Sequence, residues 1–266
     1  MFRGIIPGAA GRALLSVFGV LALAHAADAA VRTRQDTVRA PARVPFGAGE
    51  KASFQVKLGG IPVGKGSLDV VGLAMVDGHR TYHARLRVAG GVPLARVDDK
   101  FDSWIDVNGL FSRRFKQDQK EVRFERNRTY EFFPERREWR RLDNGTSGPL
   151  HTDQPLDEVS FLYFARTLPL KPGETYTLHR YFKEDGNPVV LKVLRRDTVT
   201  VPAGTFHTVV VRPIIRTRGL FGQGGEAEVY LTDDARRIPV LIRSKVPVVG
   251  SLTMHLQHYQ PGETIR

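Results

Sequence analysis

Two histidine pairs, a carboxylate doublet and an arginine cluster are the residues whose types and spacing could carry chemistry. His79 and His83 are four apart, a spacing that on a helix would bring both imidazoles to one face as metal ligands. They follow Asp77-Gly78 inside an alternating segment, however, so the spacing is that of a strand, with Thr81 between them. His255 and His258, three apart on a predicted strand, are expected on opposite faces. Neither pair sits in an H-E-x-x-H frame or beside a carboxylate-rich loop, so no metal and no cofactor is expected. Asp102 to Gly109, DSWIDVNG, has some residues of a calcium loop, but Trp104 stands where a ligand is needed and no glutamate follows. It reads as a turn.

Nucleophilic catalysis has equally little to work with. The chain has no cysteine. Gly66-Ser67 and Gly250-Ser251 lack the second half of a G-x-S-x-G elbow, and Ser160 lies inside a predicted helix, where it assists the N-terminus. The glycine-rich Gly222-Gln223-Gly224-Gly225 is followed by strand-like AEVYL and not by a helix that could receive a phosphate. Asp233 and Asp234 could share acid–base work in a cleft; next to Arg236 and Arg237 they read instead as a polar hairpin turn. The densest charge runs from Arg113 to Arg141, with Phe, Tyr and Trp residues interleaved. Acids are dispersed among these bases, as on the wet face of an antiparallel sheet. Within the run, Arg136, Arg137, Trp139, Arg140 and Arg141 are the best candidates for contact with an anion.

The elements that must position these residues are mostly strands. TYHARLRVAG alternates Tyr82, Ala84, Leu86 and Val88 against His83, Arg85 and Arg87. Similar short runs recur from KASFQVKL to SLTMHLQHY, divided by Gly, Pro, Asn and Asp. KEVRFERN and RTYEFFPE are predicted as separate strands with a bend at Asn127. In VTVPAGTFHTVVVRP, Pro202 fixes φ and Gly204 can take a positive φ, so this segment is expected to be a corner with His207 outward. One interruption, LDEVSFLYFARTL, is predicted as a helix of about three turns. Asp157 caps it, and Val159, Leu162, Tyr163 and Arg166 share one face. The expected class is all-β and mainly antiparallel: a large curved sheet, sandwich or partly closed barrel with one short α-helix.

Residues 1–26 have the order of a secretory signal, with Arg3 and Arg12 ahead of an apolar run that is too short to span a bilayer, then small residues at a cleavage site. Residues 27–46 read as a flexible basic leader and 47–262 as a single β-rich domain. Removing residues 1–26 takes away two arginines and no acid, leaving 38 bases against 28 acids, a formal charge of +10. Such a balance favours anionic partners; in a periplasmic protein these are lipid, lipopolysaccharide or other envelope components before nucleic acid. No membrane anchor is expected after cleavage, and the lack of cysteine excludes both disulfides and a lipid-modified N-terminal Cys.

LGGIPVGKGSLDV, FDSWIDVNGLFSRRF, LDEVSFLYFARTLPLKPGE, VTVPAGTFHTVVVRP and AEVYLTDDARRIPVLIRSKVPVVGSL, in this order, resemble the bacterial exported family called domain of unknown function 3108. The resemblance covers roughly Phe46 to Gln260. Glu158 departs from it, standing where the family often has proline after the capping aspartate. The resemblance implies a β-rich envelope protein and supplies no catalytic residues. The function expected is non-enzymatic binding or carriage of an apolar or anionic envelope component, on the analogy of half-barrel lipoprotein carriers. An assembly scaffold without a small ligand is the alternative, and an envelope hydrolase comes third for want of a visible nucleophile.

Overall fold

The computed structural model describes residues 33–35, 43–92, 95–121, 124–215, 227–246 and 250–263. The expected signal segment, most of the leader and the Gly222–Gly225 loop lie outside the described residues. Nine strands precede the helix: β1 (Thr33–Gln35), β2 (Lys51–Leu58), β3 (Ile61–Val76), β4 (His79–Val92), β5 (Ala95–Asp106), β6 (Ser112–Glu121), β7 (Phe124–Phe133), β8 (Glu138–Arg141) and β9 (Ser147–Pro149). After α1 (Glu158–Ala165) come β10 (Thr175–Leu178), β11 (Val189–Val201), β12 (Gly204–Ile214), β13 (Glu228–Thr232), β14 (Pro239–Val246) and β15 (Gly250–Gln260).

All fifteen strands belong to one sheet, ordered β1-β10-β11-β12-β13-β14-β15-β2-β3-β4-β5-β6-β7-β8-β9. Only β1 pairs in parallel, with β10. The sheet is not closed, and β1 and β9 are its ends. Consecutive strands are neighbours because short turns join antiparallel partners. Register shifts such as those at Val193/Arg195, Val70/Gly72 and Leu256/His258 add the local twist that curls so long a sheet. One hydrophobic cluster joins its distant parts, from Phe54 and Leu86 to Phe115, Tyr230 and Val240.

Alternation decides which face is which. On β4, Tyr82, Ala84 and Leu86 are buried against this cluster, while His83, Arg85 and Arg87 point to the other face. Asp157 caps α1 as expected: its carboxylate accepts from the Val159 and Ser160 amides, and the Ser160 hydroxyl accepts from the Asp157 amide. The helix is shorter than expected, and all eight of its residues are buried. It lies over β4 and β5, and burial of all its residues leaves no single apolar stripe. Arg166 lies just past the helix and is 1% exposed.

Three other expectations are corrected. The leader contributes Thr33–Gln35 to the sheet, and Phe46, at its end, is core, packed edge-on against Tyr82 and Tyr163. Asn127 does not bend the chain but pairs with Asp118 inside an unbroken β7, because cross-strand bonding on β6 overrides its turn preference. His255 and His258 do not diverge: the bulge at Gln257 inserts a residue, so they pair with Gln55 and Ser53 on the same outward face.

The two proposed turns are turns. Val201 pairs with Gly204, leaving Pro202 and Ala203 as a two-residue loop, and Gly204 has φ 132°. The Ala203 amide donates to the Leu256 carbonyl at 3.0 Å, so this corner reaches across to β15. His207 is exposed. Asp233 and Asp234 connect β13 to β14. Asp233 pairs with Arg196 and Arg237, and Asp234 with Arg236 and the Thr232 hydroxyl. These bonds hold both carboxyls below the usual range, Asp233 chiefly through Arg196; for Asp234, burial opposes but Thr232 and Arg236 prevail.

Candidate functional site

The concave side of the sheet is filled. Phe182 packs against Phe115, Tyr130 and Phe132 with ring centroids 6.0, 5.1 and 5.2 Å apart, and α1 lies over β4 and β5. The charged groups Glu50, Asp157, Glu158 and Arg166 on this side each bond within the fold. Arg166 binds Glu50 through two bonds of 2.6 and 3.0 Å and also donates to the carbonyls of Pro45 and Arg236, while the Tyr259 hydroxyl donates to Glu50. Ser103 donates to Asp157 at 2.6 Å and Tyr181 to Glu158 at 2.9 Å. Burial pushes both carboxyls up, and the neighbouring Asp157 raises Glu158 further.

The outer face differs in kind. Across β3, β4, β5 and β6 the register sets Asp69, Arg85, Asp102 and Lys116 in one rung, Ser67, Arg87, Lys100 and Asp118 in the next, then Lys65, Ala89, Asp98 and Lys120. Arg87 takes both oxygens of Asp98 at 3.0 Å, and Lys100 lies 3.7 Å from Asp118. At one end, His83 and Arg85 both bond Asp102, at 2.6 and 2.7 Å, and the His83 ring stacks on Trp104 at 4.5 Å. Burial opposes ionisation of Asp102, but the bonds from His83 and Arg85 outweigh it and hold its carboxyl below the usual range.

Two adjoining cavities form a trough on this face. The first, ≈ 380 Å³, is lined by Arg85, Arg87, Lys100 and Lys120 opposite Asp69, Asp98 and Asp118. The second, ≈ 680 Å³, shares Asp98 and Lys120 and continues over Val63, Ala89, Gly90, Gly91 and Val97, with Arg96 at its rim. One end is therefore charged and the other largely apolar. The apolar floor depends on two glycines: a Cβ on Gly64 would lie 2.3 Å from the Ala89 oxygen, and one on Gly90 2.4 Å from the Val63 oxygen. In the charged end, burial lifts the Asp69 carboxyl despite its bond from Ser67, whereas the bond from Arg87 lowers Asp98. Asp99, on the opposite face of β5 in register with Val88 and Gln119, is pushed by burial to about 6.

A family model described as "Protein of unknown function (DUF3108)" matches residues 53–257. The chain belongs to this family. No curated protein matches the sequence significantly. Among solved structures, the β-barrel-like DUF1849 protein of Brucella abortus is similar, with 8% identity and a TM-score of 0.47 over 82% of this chain and 99% of that one. A Bacteroides fragilis protein with a YmcC-like fold has 11% identity and a TM-score of 0.31 over 84% of this chain and 100% of that one.

In this DUF3108 member the expected arginine cluster is dispersed. Arg136 and Arg140 flank Glu138, at 3.7 and 4.0 Å, and both cover the Phe133 ring. Arg141 is paired with Asp143 and lies over Tyr130, against whose edge Trp139 packs at 5.9 Å. These side chains shield aromatic rings and neutralise neighbouring acids. Arg137, at the end of a 3-10 turn with φ 53°, lines a separate cavity.

Sequence reasoning did not single out Arg85, Lys100 and Lys120. Their signal was alternation of charge within each strand, and only the pairing of four strands brings them together. Among the described residues no cluster of three or more His, Cys, Asp or Glu could hold a metal ion. No helix there is long and apolar enough to cross a membrane.

Proposed function

We propose that this protein is exported and binds, without a chemical step, an anionic amphiphile of the cell envelope in the outer trough. The observation that carries this reading is the polarity gradient along one continuous groove: bases meet an anionic head at one end, and the end over Val63, Ala89, Gly90 and Gly91, rimmed by Arg96, takes an apolar chain. The signal-like order of residues 1–29 supports export, and a formal charge of +10 after cleavage supports an anionic ligand. Carriage of a cargo inside the curl of the sheet has less support, since α1 and the Phe182 cluster occupy that space. A scaffold role has one observation in its favour, the exposed Val71, Leu73 and Met75 along β3.

The test is calorimetric titration of the mature protein with dihexanoylphosphatidylglycerol below its micellar concentration. One saturable site is expected, weakening with added salt and by about tenfold or more in Lys100→Glu/Lys120→Glu. An affinity unchanged in that variant overturns the trough. No binding at all turns the reading to the scaffold, with Leu73→Glu as its probe.

A further inference from the structure

We infer that the chain has a second anion site, separate from the trough, built for a phosphate group by Arg137, Arg180, His151 and His179. The four line a cavity of ≈ 260 Å³ together with Thr152, and Asp153 is the one acid among its lining residues. Two guanidinium groups against one carboxylate leave the lining cationic before either imidazole is counted.

The fold positions this site from three stretches far apart in the chain. Arg137 ends the 3-10 turn Pro134–Arg136, and its carbonyl accepts from the Leu150 amide at 2.7 Å, which fixes it beside the segment that carries His151. That segment is tied to residues 180–182: the Leu156 amide donates to the Arg180 carbonyl at 2.6 Å and the Phe182 amide to the Leu156 carbonyl at 3.1 Å. Arg180 is 5% exposed, with its guanidinium over the Phe164 ring at 4.4 Å and its Nε donating to the Gln154 carbonyl at 3.0 Å. It is held in orientation before a ligand arrives, and Arg137, the other arginine of the lining, is exposed. A planar guanidinium on each side suits the tetrahedral oxygens of a phosphate better than a single point charge does.

The test titrates the mature protein with inorganic phosphate, with glycerol 3-phosphate and with phosphatidylglycerol vesicles. It compares wild type, Arg137→Gln, Arg137→Lys and the trough variant Lys100→Glu/Lys120→Glu. Circular dichroism checks the fold of each. At least one probe is expected to bind, about tenfold or more weaker in Arg137→Gln and partly restored in Arg137→Lys, with binding of the two soluble probes unchanged in the trough variant. Arg137-sensitive binding of a soluble probe marks a free phosphate ligand, and such binding of vesicles alone marks a lipid head group. Binding indifferent to Arg137, or no binding of any probe, overturns the site, whereas the trough reading is decided by its own titration with dihexanoylphosphatidylglycerol.

Discussion

The two faces of the sheet both carry charged groups and use them in opposite ways. On the concave side Glu50, Asp157, Glu158 and Arg166 are withdrawn from water and each is bonded within the fold. On the outer face Arg85, Arg87, Lys100 and Lys120 stand in rungs open to solvent, their ion pairs exchangeable for a ligand. Charge density therefore does not identify a site. Exposure of partners that a ligand can displace does so, because a buried pair broken by a ligand would leave an uncompensated charge.

The sharpest way to break this contrast is to remove one partner on each side. Arg166→Met leaves the Glu50 carboxylate buried and unpaired, and should cost about 3–5 kcal/mol in urea unfolding, with much of the loss recovered in Glu50→Leu/Arg166→Met. Asp157→Ala strips the cap from α1 and orphans the Val159 and Ser160 amides, for about 1–2 kcal/mol by the same measurement. Arg87→Gln, on the outer face, should change stability by less than about 1 kcal/mol while weakening phosphatidylglycerol binding. Equal losses from Arg166→Met and Arg87→Gln would erase the distinction between the faces.

The smallest effect is one of slope. Asp99 titrates near 6 in the folded chain and near 3.8 when unfolded. Between these values the folded state binds more protons, so this group favours folding at low pH and its cost grows as pH rises to about 6. Asp99→Asn should flatten that segment of the stability–pH curve. Asp102 acts oppositely: its lowered carboxyl contributes stability above pH 3.8 that is lost on further acidification.

Local features were legible in the sequence, and long-range ones were not. The inward set Tyr82, Ala84 and Leu86, the Asp157 cap, the Pro202–Gly204 corner and the Asp233–Asp234 turn all follow from period, capping or turn chemistry within a few residues. Glu50 and Arg166 are 116 positions apart, and nothing local marks either as a partner. The trough is equally non-local, its two ends defined by strand register. The arginine cluster is contiguous in sequence but spread in the fold: Arg136 and Arg140 lie over Phe133, Arg141 over Tyr130, and Arg137 lines a separate cavity. Glu138 and Asp143 lie among those arginines and satisfy three of them.

The most direct test of the contrast is amide NMR of the labelled mature protein titrated with dihexanoylphosphatidylglycerol. Saturable shifts are expected at Arg85, Ala89, Gly91, Asp98 and Lys100, with Phe115, Phe164 and Phe182 unmoved. Shifts concentrated at Phe115, Phe164 and Phe182 would place the ligand inside the curl of the sheet and contradict the assignment of binding to its outer face.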